Sequence, residues 1–211
     1  GERFGQRPTG IWLAERVWEP DLPTTLAQAG IQWTVVDDTH FRLIGLEDRD
    51  LFGYYVTEDQ GNTVKIFPTS KYLRYAIPWH EVPGVMDYLW EVASAGANLA
   101  VLGDDGEKFG LWPGTYALCW EKGWVEGFFT ALERNQDWLQ TIPLGEYAQA
   151  QPPLGRTYLP TASYDEMMEW ALPAERSHEL TRLRHRLQEE GRDDLLRFVR
   201  GGFWRYFLVK Y

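Results

Sequence analysis

Three carboxylates fall within four residues in GDDGEKFGLWPG, the stretch from Gly103 to Gly114: Asp104, Asp105 and Glu107. Gly103 and Gly106 bracket the two aspartates and permit a tight turn with close backbone approach. Like charges this close oppose one another's ionisation, which suits a carboxyl that must hold a proton near neutral pH and hand it on. A further acid, Glu15, interrupts the apolar stretch GIWLAERVWEP between Trp12 and Trp18. Two carboxylates on separate segments, flanked by Trp12, Trp18 and Trp112, are the equipment for displacement at a glycosidic carbon. One attacks the carbon and the other protonates the departing oxygen. Plainer readings stay open at each position. The acidic stretch also reads as an Asp-Gly turn with solvated acids. It reads less well as a calcium loop, because it lacks the alternating acids and distal Glu of an EF-hand. Glu15 also reads as the ion-pair partner of Arg16 or as a helix-capping acid.

His40 follows Asp38 by two residues in VDDTHF. It reads either as orienting a sugar hydroxyl or as satisfying a loop. The 4 His include no H-x-x-x-H pair, so there is no zinc signature. There is no P-loop, no G-x-G-x-x-G and no nucleophile elbow. Met167 and Met168 read as helix core.

The elements that must position these residues alternate between strand and helix. Gly10 to Ala14 is expected as a short buried strand, and Pro20 to Ala29 as a helix stopped by Gly30. IQWTVVDD, Ile31 to Asp38, is a second strand rich in β-branched residues. Gly53 to Pro68 is a hairpin turning near Gln60-Gly61-Asn62. Val82 to Ala95 is a helix with Val85, Met86, Leu89 and Val92 on its apolar face. Ala97 to Gly106 reads as a third strand running into the acidic turn. Gly114 to Arg134 reads as largely helical, and Gln140 to Arg156, with Pro143, Pro152 and Pro153, as a loop. Ser163 to Ala171 and Ala174 to Glu190 read as helices, the second with Leu180, Leu183 and Leu187 on one face. This alternation predicts an α/β fold with function gathered at the carboxyl ends of strands, where Glu15, Asp37-Asp38 and Asp104-Asp105 fall.

Composition narrows the function classes. The chain has 211 residues, 44% hydrophobic and 25% charged, as in an ordinary globular domain. Its net charge of −10, from 21 basic and 31 acidic residues, argues against a nucleic-acid partner and for a neutral ligand. No apolar run is long enough to span a bilayer, so no membrane partner is expected. Cys119 is the only cysteine, which fits a reducing compartment and a cytoplasmic location. The 11 Trp serve either core packing or sugar faces.

WLAERV (Trp12 to Val17) and GDDGEKFGLWPGTY (Gly103 to Tyr116) resemble the third and fourth sequence regions of glycoside hydrolase family 57, in its 4-α-glucanotransferase and α-amylase branch. The resemblance continues through LRYAIP (Leu73 to Pro78), GRTYLPTASYDEMMEWALP (Gly155 to Pro173) and VRGGFWRYFLVKY (Val199 to Tyr211), so it spans essentially the whole chain. It implies part of an incomplete (β/α)7 barrel over residues 1–150 and a helical segment over 151–211. The family's H-Q-P and G-Q-x-E regions, its fifth region and its β-sandwich are not in the chain, which is therefore expected to be an internal segment. By the resemblance Glu15 is the nucleophile, and Asp105, not Asp104, is the acid/base. Trp12, Glu107 and Trp112 match positions lining the substrate site, and Asp38 and His40 join them as candidate substrate-binding residues. No cofactor or metal is implied.

The implied activity is a retaining 4-α-glucanotransferase acting on α-1,4-linked maltooligosaccharides or starch through a covalent glycosyl-enzyme. The alternatives are an α-amylase in which hydrolysis dominates, or an inactive carbohydrate-binding fragment. DGEKFGLW lacks the His of the branching-enzyme pattern D-x-E-x-F-G-H-W, which favours transfer or hydrolysis over branching. An α-glucan is the expected partner, and homo-oligomerisation is expected to involve the missing regions.

Overall fold

The computed structural model describes residues 3–196 and 198–203, so the last eight residues of VRGGFWRYFLVKY lie outside the described residues. The fold is mixed α/β, as the alternation predicts. β1 (Gly10–Trp12) runs parallel to β2 (Trp33–Asp37), with Gly10 opposite Trp33 and Trp12 opposite Val35. Between them α1 (Leu22–Gln28) carries Pro23 in its first turn and stops at Gly30, whose φ of +81° ends a helix without Cβ strain. Thr34, Val35 and Val36 make β2 stiff and β-prone, and everything in it after Trp33 is buried. α2 (Asp38–Arg42) follows at once, because the Asp37 carboxylate accepts the Thr39 N–H at 3.2 Å and caps it.

β3 (Tyr55–Asp59) and β4 (Asn62–Thr69) form the expected antiparallel hairpin. Its loop residues Gln60 and Gly61 have φ of +50° and +81°, the pair of positive values that a primed two-residue turn needs. The sheet order is β1-β2-β4-β3-β5, where β5 (Gly155–Arg156) lies parallel to β3. Trp18, Val36, Phe41, Ile66 and Leu159 form the core beside it.

The chain gathers into two compact units. The first holds the described residues up to Pro68 and from Pro153 onward, and the second is Thr69–Pro152. The second unit contains α3 (Lys71–Ala76), α4 (Val82–Ser94), α5 (Trp124–Arg134) and α6 (Leu144–Ala150). Leu73, Ala76, Ile77, Val85 and Trp124 are its core. In the first unit α7 (Asp165–Trp170), α8 (Ala174–Glu189) and α9 (Asp193–Leu196) follow β5.

Several local expectations need correction. Residues 97–105 form no strand. One backbone bond, from Ser70 N–H to the Val101 carbonyl at 2.8 Å, ties the run to its neighbour. At its end the Asp104 carboxylate accepts the Asp105 N–H at 2.9 Å, which turns the chain out of extended pairing there. The stretch expected as a loop over Gln140 to Arg156 contains α6 and β5. Pro143 stands at the N-cap of α6, where its missing N–H is not needed, so it starts a helix instead of preventing one. On α8, Leu180 and Leu187 are buried but Leu183 is 41% exposed. Among the described residues no helix is long and apolar enough to cross a membrane.

The contact of β1 with β2 gives a two-sided stability test. A Cβ at Gly10 would lie 2.1 Å from the Trp33 ring, so Gly10→Ala is expected to push β1 off its register position. The expected loss is about 1–3 kcal/mol, read as a lowered melting temperature. Gly84→Ala, inside α4 with nothing within 4 Å of the new methyl, is expected to hold or raise the melting temperature.

Candidate active site

The apolar stretch that carries Glu15 leaves β1 at Trp12 and turns in a single 3-10 turn, Ala14–Arg16. Glu15 (φ +52°, ψ +16°) and Arg16 (φ +48°) are both left-handed, although neither is glycine. Such a pair is unfavourable by itself and persists only where its surroundings over-determine it. Here they do. Arg16 N–H donates to the Leu13 carbonyl at 2.8 Å, and the Ser163 hydroxyl donates to the Glu15 carbonyl at 2.5 Å. Trp18 and Ala162 exchange a pair of backbone bonds at 2.8 and 3.2 Å. His40 completes the frame, with Nε2 2.9 Å from the Arg16 carbonyl oxygen and 3.1 Å from that of Ala162. Its Nδ1 is 2.9 Å from the Asp37 carbonyl oxygen.

The Glu15 side chain is exposed, and its Oε2 accepts a hydrogen bond from the Tyr164 hydroxyl at 2.6 Å. Arg16 forms no ion pair with it among the described residues. The Arg16 side chain is 2% exposed, and its guanidinium carbon lies 4.1 Å from the Tyr164 ring centroid and 5.6 Å from that of Trp12. Among the described residues its Nε and Nη1 have no hydrogen-bond partner. Burial would push the Asp37 carboxyl up. The Thr39 hydrogen bonds and the charges of His40 and Arg16 outweigh it, so Asp37 titrates below the usual carboxylate range. Burial pushes the His40 imidazole down, against the pull of Asp37 and the three carbonyls. Of the two indoles flanking Glu15, Trp12 is 43% exposed, whereas Trp18 is core at 1%.

In the second unit the two adjacent aspartates are sorted by burial. The Asp104 carboxylate is 4% exposed and accepts from Lys108 Nζ at 2.6 Å, and the Lys108 side chain is itself 3% exposed. Lys108 also donates to the Arg74 carbonyl. Asp105 is 35% exposed, with Oδ2 3.6 Å from Arg74 Nη2. Glu107 stands in the following 3-10 turn, Gly106–Phe109, exposed like Trp112 at its far side. The acidic stretch is therefore not a turn of solvated acids.

The first unit thus brings together Trp12, Glu15 and, under them, His40. The second brings together Asp104, Asp105, Lys108 and Arg74. Asp38 is buried with its Oδ2 paired to Arg42 at 3.3 Å, and His40 is wholly buried with both ring nitrogens beside backbone carbonyl oxygens. Sequence reasoning missed Tyr164, Arg74 and Lys108. Tyr164 and Arg74 lie within the ASYDEMMEW and LRYAIP stretches, but no spacing rule links them to the acids they touch. Among the described residues no group of three or more His, Cys, Asp or Glu could hold a metal ion.

A model of glycosyl hydrolase family 57 matches residues 1–160. The chain belongs to glycosyl hydrolase family 57. It is 49% identical over 212 residues to alpha-amylase 1 of Dictyoglomus thermophilum, a match covering 100% of this chain and 31% of that protein. It is 44% identical over 211 residues to the 4-alpha-glucanotransferase of Thermococcus litoralis, covering 99% of this chain and 32% of the other. The crystal structure of 4-alpha-glucanotransferase from Thermococcus litoralis superposes with a TM-score of 0.93 at 43% identity, over 100% of this chain and 33% of that one. The chain thus spans about a third of the length of these family 57 relatives.

The buried His40 sets an acid limit on stability. Its folded imidazole resists protonation, so the unfolded chain binds the extra proton first as the pH falls. Stability is expected to be full above the unfolded imidazole's ordinary value and to fall below it, with a slope contribution of up to about 1.4 kcal/mol per pH unit. Urea unfolding at pH 7 and pH 5.5 measures this, and His40→Gln is expected to flatten the difference. Equal slopes in both proteins would contradict it.

Proposed function

We propose that this chain carries both catalytic carboxylates of a retaining α-glucan enzyme whose principal reaction is 4-α-glucan transfer between maltooligosaccharides. The observation that carries the reading is the Glu15 turn: an exposed carboxylate at the end of a strand, in an over-determined left-handed turn, in a chain of family 57. Tyr164 holds Oε2, which leaves Oε1 to attack the anomeric carbon. As that bond forms, the glycosidic C–O bond breaks, its electron pair goes to the departing oxygen, and Asp105 gives that oxygen a proton. In the second half the ionised Asp105 takes the proton from an acceptor hydroxyl, whose oxygen attacks the carbon and releases Glu15. A sugar acceptor gives transfer and water gives hydrolysis.

The half-exposed indoles of Trp12 and Trp112 serve in this reading as platforms for pyranose faces, with Glu107 a partner for hydroxyls. His40 acts through the turn it braces. A hydrolysis-dominant α-amylase is the second reading, supported by the name of the 49% identical relative.

The test uses the complete gene product that carries this chain, acting on maltotriose. Glu15→Gln and Asp105→Asn are each expected to lower turnover by ~10²–10⁴-fold. Intact turnover in the Glu15 variant would end the proposal. Products longer than maltotriose mark transfer, whereas shorter ones alone mark hydrolysis. The anomer formed first is expected to keep the α configuration of the substrate, and a β product would point to inversion. Tyr164→Phe removes one charge-assisted hydrogen bond and is expected to lower kcat by ~10–100-fold with the fold intact.

A further inference from the structure

We propose that Arg74 is the positioning residue of Asp105, holding the carboxyl in the one orientation from which it can pass a proton without itself binding that proton's site. The inference rests on the reading of Asp105 as acid/base. Arg74 stands near the end of α3, and its side chain is 14% exposed. The guanidinium spans both aspartates, with Nε 3.9 Å from Asp104 Oδ1 and Nη2 3.6 Å from Asp105 Oδ2. Its backbone is fixed as firmly as its head. The Arg74 carbonyl accepts from the Lys108 ammonium, which also binds Asp104 Oδ2 at 2.6 Å. At the other end of α3, the Ser70 N–H donates to the Val101 carbonyl at 2.8 Å, three residues before Asp104. The helix that carries Arg74 and the segment that carries both aspartates are thus bound at two points.

The separation is informative. At 3.6 Å the guanidinium is beyond the usual 2.7–3.2 Å of an N–H···O bond, yet near enough to orient the carboxylate electrostatically. A close bidentate pair would occupy both oxygens and leave none for the leaving group. Lys108 takes up Asp104, so the guanidinium is not drawn wholly onto that neighbour.

The experiment compares substrates that need a proton with ones that do not, in the complete gene product. Maltotriose needs a proton on its leaving oxygen, whereas α-maltosyl fluoride departs as fluoride without one. Arg74→Met is expected to lower kcat/KM on maltotriose by ~10–100-fold and on the fluoride by less than ~3-fold, in the range where acid–base assistance acts. Azide, an acceptor that needs no base, is expected to raise the variant's kcat on the fluoride, which is limited by the base-assisted second half that kcat/KM does not report. Arg74→Lys is expected to show the same pattern with a smaller loss. It decides the matter if the Met variant does not fold.

Equal losses on both substrates, in a variant with an unchanged melting temperature, would overturn the proposal and leave Arg74 a structural residue. So would no loss on either. Asp105→Asn separates the two failures. If it spares the fluoride and harms maltotriose while the Arg74 variants do not, only the Arg74 proposal falls. If it harms both substrates alike, the acid/base reading itself falls.

Discussion

The first unit depends on two consecutive residues held in a conformation neither prefers. Glu15 and Arg16 have φ of +52° and +48°, where side-chain-bearing residues are disfavoured by roughly 1–2 kcal/mol each. The turn survives because its carbonyls are engaged by groups from far along the chain: the Ser163 hydroxyl on Glu15, and His40 on Arg16. Those groups are themselves placed by the Trp18–Ala162 bridge, by the cap that starts α2 directly after β2, and by the β1–β2 register. The position of the Glu15 carboxylate is therefore a property of the whole sheet. Several ties act on the same turn, so its left-handed geometry does not rest on one bond. This answers why a carboxylate interrupts an apolar stretch: the interruption is where the strand has already ended.

Elements governed by local rules were readable in the sequence. The hairpin followed from the turn residues Gln60-Gly61-Asn62, the end of α1 from Gly30, and β2 from its β-branched run. Errors arose where a local signal met a competing bond. The apolar run before Asp104 has a strand's composition but a single backbone bond to its neighbour, from Ser70 N–H to the Val101 carbonyl. Pro143 looked like a breaker and became a cap. The site was legible only in its acids and aromatics. What holds the acids is tertiary: Tyr164 is 149 residues from Glu15, and Lys108 reaches back 34 residues to the Arg74 carbonyl. No periodicity encodes such pairs.

Asp104 and Asp105 show how environment gives two identical side chains different uses. Burying either charge alone, Asp104 at 4% exposure or Lys108 at 3%, would carry a large desolvation cost that their 2.6 Å pair offsets. Each is the condition for the other. A buried pair of this kind adds little net stability compared with apolar residues of the same size. What it fixes is geometry, because neither group can move without stranding the other. Asp105, beside it at 35% exposure and with Arg74 3.6 Å from its Oδ2, is partly open to solvent.

The same arrangement recurs in the two units by different means. In each, an exposed carboxylate stands directly beside a buried cation that does not bind it tightly. Arg16 follows Glu15 in sequence, yet its guanidinium turns inward against the Tyr164 and Trp12 rings and lowers the titration of Asp37 instead. Arg74 approaches Asp105 but stops short of a hydrogen bond. In both cases the acid is steadied from one side, by a hydroxyl at Glu15 and by a guanidinium at Asp105, and keeps an oxygen uncommitted. A carboxylate clamped at both oxygens would be rigid and inert, and one left unheld would sample too many rotamers to react efficiently. In the proposed reaction single-sided restraint meets both demands, and the residues that supply it are the ones behind the acids.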